Sequence, residues 1–166
     1  MPVAADDFRV RLAHEDDAFD ILVVRAASWR AAYTEILPAR HLAKLTARWD
    51  RTFSAGTWVL ERDRLIVAYC ITNCDDLDRV LPTVEVSELY VFPDFWRTGA
   101  GSALLDGVLR ELALRGAREA TLEVLSANTR GLAFYQAKGF HHVPHGDRTV
   151  DVDGRKLAAL HFRRKL

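Results

Sequence analysis

Apolar positions along the chain change period several times, and each change marks an element. Residues 8–12, F-R-V-R-L, alternate apolar with charged, the pattern of a half-buried strand. Glu15, Asp16 and Asp17 then stand where a helix start favours negative charge. The segment to Tyr33 carries Phe19, Leu22, Val23, Ala26 and Trp29–Arg30 at i, i+3, i+4 spacing, which predicts an amphipathic helix with that stripe turned inward. Leu37-Pro38 is expected to stop it, and a second helix is expected from Pro38 toward Trp49, with Leu42 and Leu45 facing inward. Residues 57–61 and 65–72 read as a hairpin about Arg62-Asp63-Arg64. The segment Asn73 to Pro82 is polar and irregular, and is expected to be a mobile loop.

Val84, Val86, Leu89 and Val91 predict a strand that ends at Pro93. After Gly101 the period becomes helical, with Leu105, Val108, Leu109 and Leu112 on one face and an end near Gly116. Residues 119–125 form another strand pattern. Asn128 to Phe140 reads as a short helix with Gly139 just past its end, and arms near 147–152 and 157–163 flank the turn dipeptide Asp153-Gly154. Strands and helices alternate in the middle and hairpins lie toward both ends. The expected class is α/β: a mixed central sheet with helices on both faces, in one domain spanning 1–166.

Composition narrows the partners. The chain has 166 residues, 49% of them apolar and 28% charged, with Lys+Arg equal to Asp+Glu. Such a balance supports neither nucleic-acid nor membrane binding. No apolar run has transmembrane length, and residues 1–15 are acidic and mixed rather than signal-like, so a cytoplasmic location is expected. Cys70 and Cys74 are too few and too close for a disulfide framework, and reduced thiols are the default. His141, His142 and His145 cluster in sequence, but no carboxylate or cysteine spacing completes a metal site, so no metal is expected.

The chemistry concentrates in Glu85 to Leu105. A strand breaks into a glycine-containing loop, Arg97-Thr98-Gly99-Ala100-Gly101, and feeds a helix N-terminus. Glycines admit a ligand close to the backbone, the first helical N–H groups are unpaired, and the helix dipole favours an anion. On spacing alone a tight turn explains the glycines equally well. Neither G-x-x-x-x-G-K-[ST] nor G-x-G-x-x-G is present, and the loop has no Lys, which argues against a nucleotide-phosphate enzyme.

Leu89, Tyr90, Val91, Pro93, Trp96, Gly99, Gly101, Leu104 and Leu105 resemble, in register, the acyl-CoA-binding motif of the GCN5-related N-acetyltransferases (the GNAT family). Trp96 stands where Arg or Gln is commonest, and Arg97 where the first Gly usually sits. Val124, Asn128, Phe134, Tyr135, Gly139 and Phe140 match a second motif of that family, with Gly131 in place of the usual Ala. That replacement costs roughly 1 kcal/mol of helix propensity and is expected to have no further role.

The resemblance implies a GNAT fold with a mostly antiparallel sheet, acetyl-CoA as co-substrate, and direct transfer of acetyl to a small-molecule or peptide amine in a ternary complex. It implies that the pantetheine arm pairs with the backbone around Leu89, Tyr90 and Val91, with the Val91 N–H as oxyanion donor. The pyrophosphate would rest on the N–H groups of Arg97, Thr98, Gly99, Ala100, Gly101 and Ser102, with Asn128 contacting the arm as it caps its helix. Tyr135 would protonate the departing thiolate.

Glu85, then Glu88, then Glu123 are the candidate general bases. Strict alternation turns Glu88 to the other face, and a bulge would restore it. The same resemblance makes Trp29, Tyr33 and Trp49 candidate pocket walls, against a plain core role for all three. It also brings a homodimer into the expectations, since the terminal hairpin of such folds often pairs across one. A non-catalytic acyl-CoA sensor is the alternative reading, and Tyr135 with the strand carboxylates argues against it.

Overall fold

The structure is a computed structural model describing residues 8–34, 56–152 and 154–166. The predicted second helix, with Leu37, Pro38, Leu42, Leu45 and Trp49, lies outside the described residues. Eight strands form one sheet: β1 Arg9–Leu12, β2 Thr57–Arg62, β3 Leu65–Thr72, β4 Thr83–Val91, β5 Glu119–Leu125, β6 His141–His142, β7 Arg148–Val152 and β8 Arg155–Lys165. Their order is β1-β2-β3-β4-β5-β8-β6, with β7 also paired to β8. Among the described pairings only β4 with β5 is parallel. The helices are α1 Ala18–Tyr33, α2 Ala100–Leu114 and α3 Thr129–Ala137.

A parallel pair cannot be joined by a hairpin, and here α2 is the crossover. Its Leu104, Leu105, Val108, Leu109 and Leu112 are buried in one cluster with Val84, Val86, Leu122, Val124 and Phe162 of the sheet. Leu132, Phe134 and Tyr135 of α3 pack against the same cluster. On the opposite face Ile21 and Val24 of α1 meet Val59, Ile66 and Tyr69. Helices thus cover both faces, as the alternation of patterns implied.

The inward stripe of α1 differs from the expected one. Phe19 is 72% exposed and Val23 42%, while Ile21, Val24, Ser28 and Tyr33 are buried. Apolar residues lie on most sides of this helix, so periodicity did not single out a face. Polar anchors did. The guanidinium of Arg11 on β1 donates to both oxygens of Asp17 at 2.7 and 2.9 Å, and Asp17 also accepts from the His14 N–H.

Two bulges reset strand parity. In β3 the register passes from Leu60↔Ala68 to Glu61↔Ile66, leaving Val67 unmatched. In β4 it passes from Ile71↔Glu88 to Thr72↔Val86, leaving Ser87 unmatched. Leu89 and Val91 therefore continue on the α2 face with Val84 and Val86, whereas Glu88 and Tyr90 turn to the α1 face, the side that Glu85 also takes by alternation.

The Asn73–Pro82 segment, expected to be mobile, is pinned. Asn73 exchanges hydrogen bonds with Glu85 at 2.8 and 3.0 Å, Cys74 is buried, Leu77 and Val80 pack on the core, and Pro82 O accepts from Arg118 and Glu119. Gly131 also does more than expected. A Cβ there would fall 2.8 Å from Asn128 Nδ2, so its absence leaves room for the Asn128 cap.

Gly107 in α2 faces Val10 of β1, and an added Cβ would lie 2.8 Å from Val10 Cγ2. Gly107→Ala should lower stability by about 1 kcal/mol, because overpacking outweighs the roughly 1 kcal/mol of helix propensity gained. Thermal unfolding should show a fall of about 2–4 °C. Asp17 supplies a second test. The Arg11 hydrogen bonds hold its pKa below the usual carboxylate value, so its contribution is present above the unfolded pKa and lost as pH falls through the folded one. Asp17→Asn should cost about 2 kcal/mol in urea unfolding at pH 7, and the gap to wild type should narrow at pH 3.

Candidate active site

The site begins where two strands part. β4 and β5 are paired from Thr83↔Glu119 to Val86↔Leu122 and no further, although β4 runs on to Val91 and β5 to Leu125. Phe92 N–H bonds Val67 O at 2.8 Å, which sets the phase of the β3 edge. By alternation, the N–H groups of Leu89 and Val91 point the other way, into the widening gap. A strand edge without its neighbour is a row of backbone donors and acceptors ready for an extended amide ligand.

At the end of that edge the chain turns through a short 3-10 segment, Pro93–Phe95, and enters α2. Two residues of the turn have left-handed backbones: Gly99 with φ +91°, and Arg97 with φ +64°. Arg97, standing where the family motif has Gly, adopts a conformation that disfavours a side chain. The first intrahelical bond here is Ala103 N–H to Gly99 O, so the N–H groups of Ala100, Gly101 and Ser102 have no partner within the helix. Next to the glycine loop, Trp96 Nε1 donates to Val91 O at 2.7 Å, and the Arg130 guanidinium of α3 lies 3.8 Å above the Trp96 ring.

α3 closes the other side. Asn128 caps it by accepting from Gly131 N–H at 3.0 Å, and its Nδ2 reaches the Tyr33 hydroxyl of α1 at 3.4 Å. Tyr135 meets Phe134 and Phe140 edge-on at 5.1 and 5.8 Å. Burial, with smaller contributions from Cys70 and Tyr33, pushes its phenol well above the ordinary tyrosine value. It therefore stays protonated at neutral pH. Cys70 stands opposite Leu89 in the β3–β4 register, and both share the apolar cluster against which Tyr135 packs.

On the α1 face, Trp29, Tyr33, Tyr69 and Tyr90 stack at centroid distances of 4.5–5.8 Å. Burial raises the Tyr33, Tyr69 and Tyr90 phenols. The Tyr90 side chain is committed to this stack, and its backbone N–H and C=O turn toward β3 rather than the gap.

The three candidate carboxylates differ in what holds them. Glu88 accepts from Arg25 Nη1 at 3.1 and 3.2 Å and from the Tyr69 hydroxyl at 2.7 Å. Glu123 accepts from Arg148 Nε at 2.8 Å on both oxygens. Glu85 is exposed, with its backbone tied to Asn73, and lies in the paired part of β4. His142 Nε2 lies 2.8 Å from Asp147, and no cluster of three metal-ligating side chains occurs among the described residues.

Arg25, Ser28, Tyr69 and Arg130 were not candidates from the sequence. Each belongs to an ordinary helix or strand pattern, and only the register of β4 against α1 and α3 brings it to the site.

An open strand edge that runs into a helix start with unpartnered N–H groups is the arrangement of a class of protein suited to an extended amide chain ending in phosphate. Comparison with known proteins narrows the class. The acetyltransferase (GNAT) family profile matches residues 23–140. The Escherichia coli ribosomal protein bS18-alanine N-acetyltransferase is 33% identical over 118 residues, covering 67% of this chain and 76% of that one. An uncharacterized N-acetyltransferase of Mycobacterium tuberculosis is 34% identical over 110 residues, 66% of this chain and 60% of that protein. In fold, the PaiA N-acetyltransferase of Thermoplasma acidophilum, solved in complex with coenzyme A, superposes with a TM-score of 0.71 at 16% identity, covering 96% of this chain and 99% of that one. The chain belongs to the GNAT acetyltransferase family. It is an acetyl-CoA-dependent N-acetyltransferase, an enzyme that moves an acetyl group from the thioester to an amine.

The backbone at Arg97 yields a direct test. A left-handed non-glycine residue costs about 1–2 kcal/mol, partly offset by the roughly 0.4–1 kcal/mol of extra unfolded-state freedom that glycine brings. Arg97→Gly should therefore raise the apo protein's melting temperature by about 1–3 °C in calorimetry.

Proposed function

We propose that this enzyme acetylates a primary amine by direct attack, with both substrates bound together and with residues 1–166 acting as one catalytic domain. The observation that carries the reading is the backbone edge of β4 at Leu89–Val91, exposed by the parting of β4 and β5 and continuous with the turn into α2. Acetyl-CoA supplies the activated acetyl group. The edge fits the amides of its pantetheine arm, and the N–H groups at the start of α2, with those of Arg97 and Gly99, fit its pyrophosphate. In this reading the Arg97 side chain is a further phosphate partner and the Asn128 amide a further contact to the arm.

In the transfer, a new N–C bond forms as the C–S bond breaks. The Val91 N–H faces the gap and stabilises the negative charge that develops on the thioester oxygen. The Tyr135 phenol, protonated at neutral pH as any tyrosine is, gives its proton to the departing sulfur. An alkyl ammonium titrates near 10 and must lose its proton before its lone pair can attack. The Ser87 bulge sets Glu88 and Glu85 on the face from which the amine approaches. Glu88, in the open part of the strand, takes the base role through water. Glu85 stands behind it, and Glu123 comes third because it lies on β5 rather than on the β4 edge; an arginine engages both Glu88 and Glu123, so ion pairing does not separate them. Trp29 and Tyr33 wall the acceptor side, together with Tyr90.

The acceptor to try first is the α-amino group of a short peptide, because the relative that is 33% identical acts on a ribosomal-protein alanine. Cys70 and Cys74 are free thiols, and among the described residues no helix is long and apolar enough to cross a membrane. Both support work in the cytoplasm. The β7–β8 hairpin is the proposed dimer contact.

Saturating acetyl-CoA and CoA, at 100 times their dissociation constants, should each add about 2.7 kcal/mol of stability; ATP should add none. Tyr135→Phe should keep that stabilisation while lowering kcat with an amino-terminal peptide by roughly 100-fold, read as thiol release. Binding by both versions with turnover by neither, across a screen of amines, would favour the sensor reading instead.

A further inference from the structure

Val91 is the last residue of β4, and its carbonyl is held twice. Ser28 Oγ, from the buried side of α1, donates to Val91 O at 2.8 Å. Trp96 Nε1, from the turn beyond the strand, donates to the same oxygen at 2.7 Å. These donors come from opposite directions in sequence, 63 residues before Val91 and five after it. On the other strand edge the next residue is fixed as well, by Phe92 N–H to Val67 O at 2.8 Å.

In an extended strand, the N–H and C=O of one residue point to the same side. Val91 O therefore faces the gap with Val91 N–H, but only the N–H remains available there. A carbonyl with both lone pairs engaged cannot accept from an incoming amide. An extended ligand can thus pair with Leu89, and at Val91 it meets a donor alone. This arrangement ends the pairing ladder and leaves a single N–H at its end.

We propose that Ser28 and Trp96 are positioning residues. Together with the Phe92 N–H bond to Val67 they fix the Val91–Phe92 peptide, so that Val91 holds the neighbouring Tyr90–Val91 peptide with its N–H aimed at the thioester oxygen, and they stop the pantetheine arm from sliding one pair further along β4. The inference rests on the proposal that Val91 N–H is the oxyanion donor. Neither side chain touches the reacting atoms. Ser28 is buried on α1, and the Trp96 ring is stacked by Arg130 of α3.

The test follows the carbonyl itself and needs no acceptor. Acetyl-CoA carrying carbon-13 in the thioester carbonyl is bound at saturation, and its infrared band is compared free and bound. The proteins are wild type, Ser28→Ala, Trp96→Phe and the double variant, with dissociation constants from calorimetry. Trp96→Phe keeps a ring for Arg130 to stack on. The expected result is a bound band shifted to lower frequency in wild type, a smaller shift in each single variant, and at least half of the shift lost in the double variant. Dissociation constants should stay within about threefold. If the double variant does not fold, the two single variants carry the comparison.

An undiminished shift in variants that bind would overturn the inference while leaving the role of Val91 intact. Loss of acetyl-CoA binding by a folded Ser28→Ala protein would also overturn it, since the serine would then serve affinity rather than aim. A wild-type band that does not move on binding would remove the oxyanion role of Val91, and this inference with it.

Discussion

The parting of β4 from β5 is the constraint on which the rest of the structure depends. Two parallel strands pair for four residues and then diverge, leaving the outer half of β4 with backbone groups turned toward a gap. Unpaired backbone polar groups are costly to bury, so a strand end of this kind is stable only if water or a ligand satisfies it. The parallel pairing has a second consequence. It requires a crossover, here α2, which follows β4 after the Pro93–Phe95 segment and the turn at Arg97–Gly99. One topological feature thus supplies both an open strand edge and a helix start whose first N–H groups have no partner within the helix.

Polar contacts, rather than apolar ones, set how α1 lies on the sheet. α1 carries apolar groups around much of its circumference and could lie on the sheet in more than one rotation. Arg11 with Asp17 at its start, Arg25 with Glu88 along its length, and Ser28 with Val91 near its end select one. The Ser87 bulge completes the arrangement. Without it Glu88 would enter the apolar cluster under α2; with it, the carboxylate meets Arg25 and Tyr69. A half-buried carboxylate with three donor contacts is well solvated by the protein, and replacing either partner would strand a charge.

Strand and helix limits were largely legible in the chain. Residues 119–125 were read as a strand and are one, the α2 face was read correctly, and the 65–72 arm agrees to the residue. These segments have one clear period and are bounded by Gly, Pro or charged turns. The α1 stripe was misread because several periods fit it equally well. The Asn73–Pro82 loop was misread because polar composition does not reveal that Asn73 bonds back to Glu85 or that Cys74, Leu77 and Val80 reach the core.

By itself the sequence determined the order of elements, the glycine-containing loop before α2, and the two motifs at Leu89–Leu105 and Val124–Phe140 that mark the family. These are local matters, written in neighbouring residues. Only the tertiary structure decided which face Glu88 takes, where β4 leaves β5, and that Ser28 and Trp96 meet at one carbonyl. Each depends on register between segments distant in the chain, and a one-residue bulge inverts every side chain beyond it. Periodicity within a strand carries no record of such a shift, because the bulge is settled by how β3, β4 and α1 pack together.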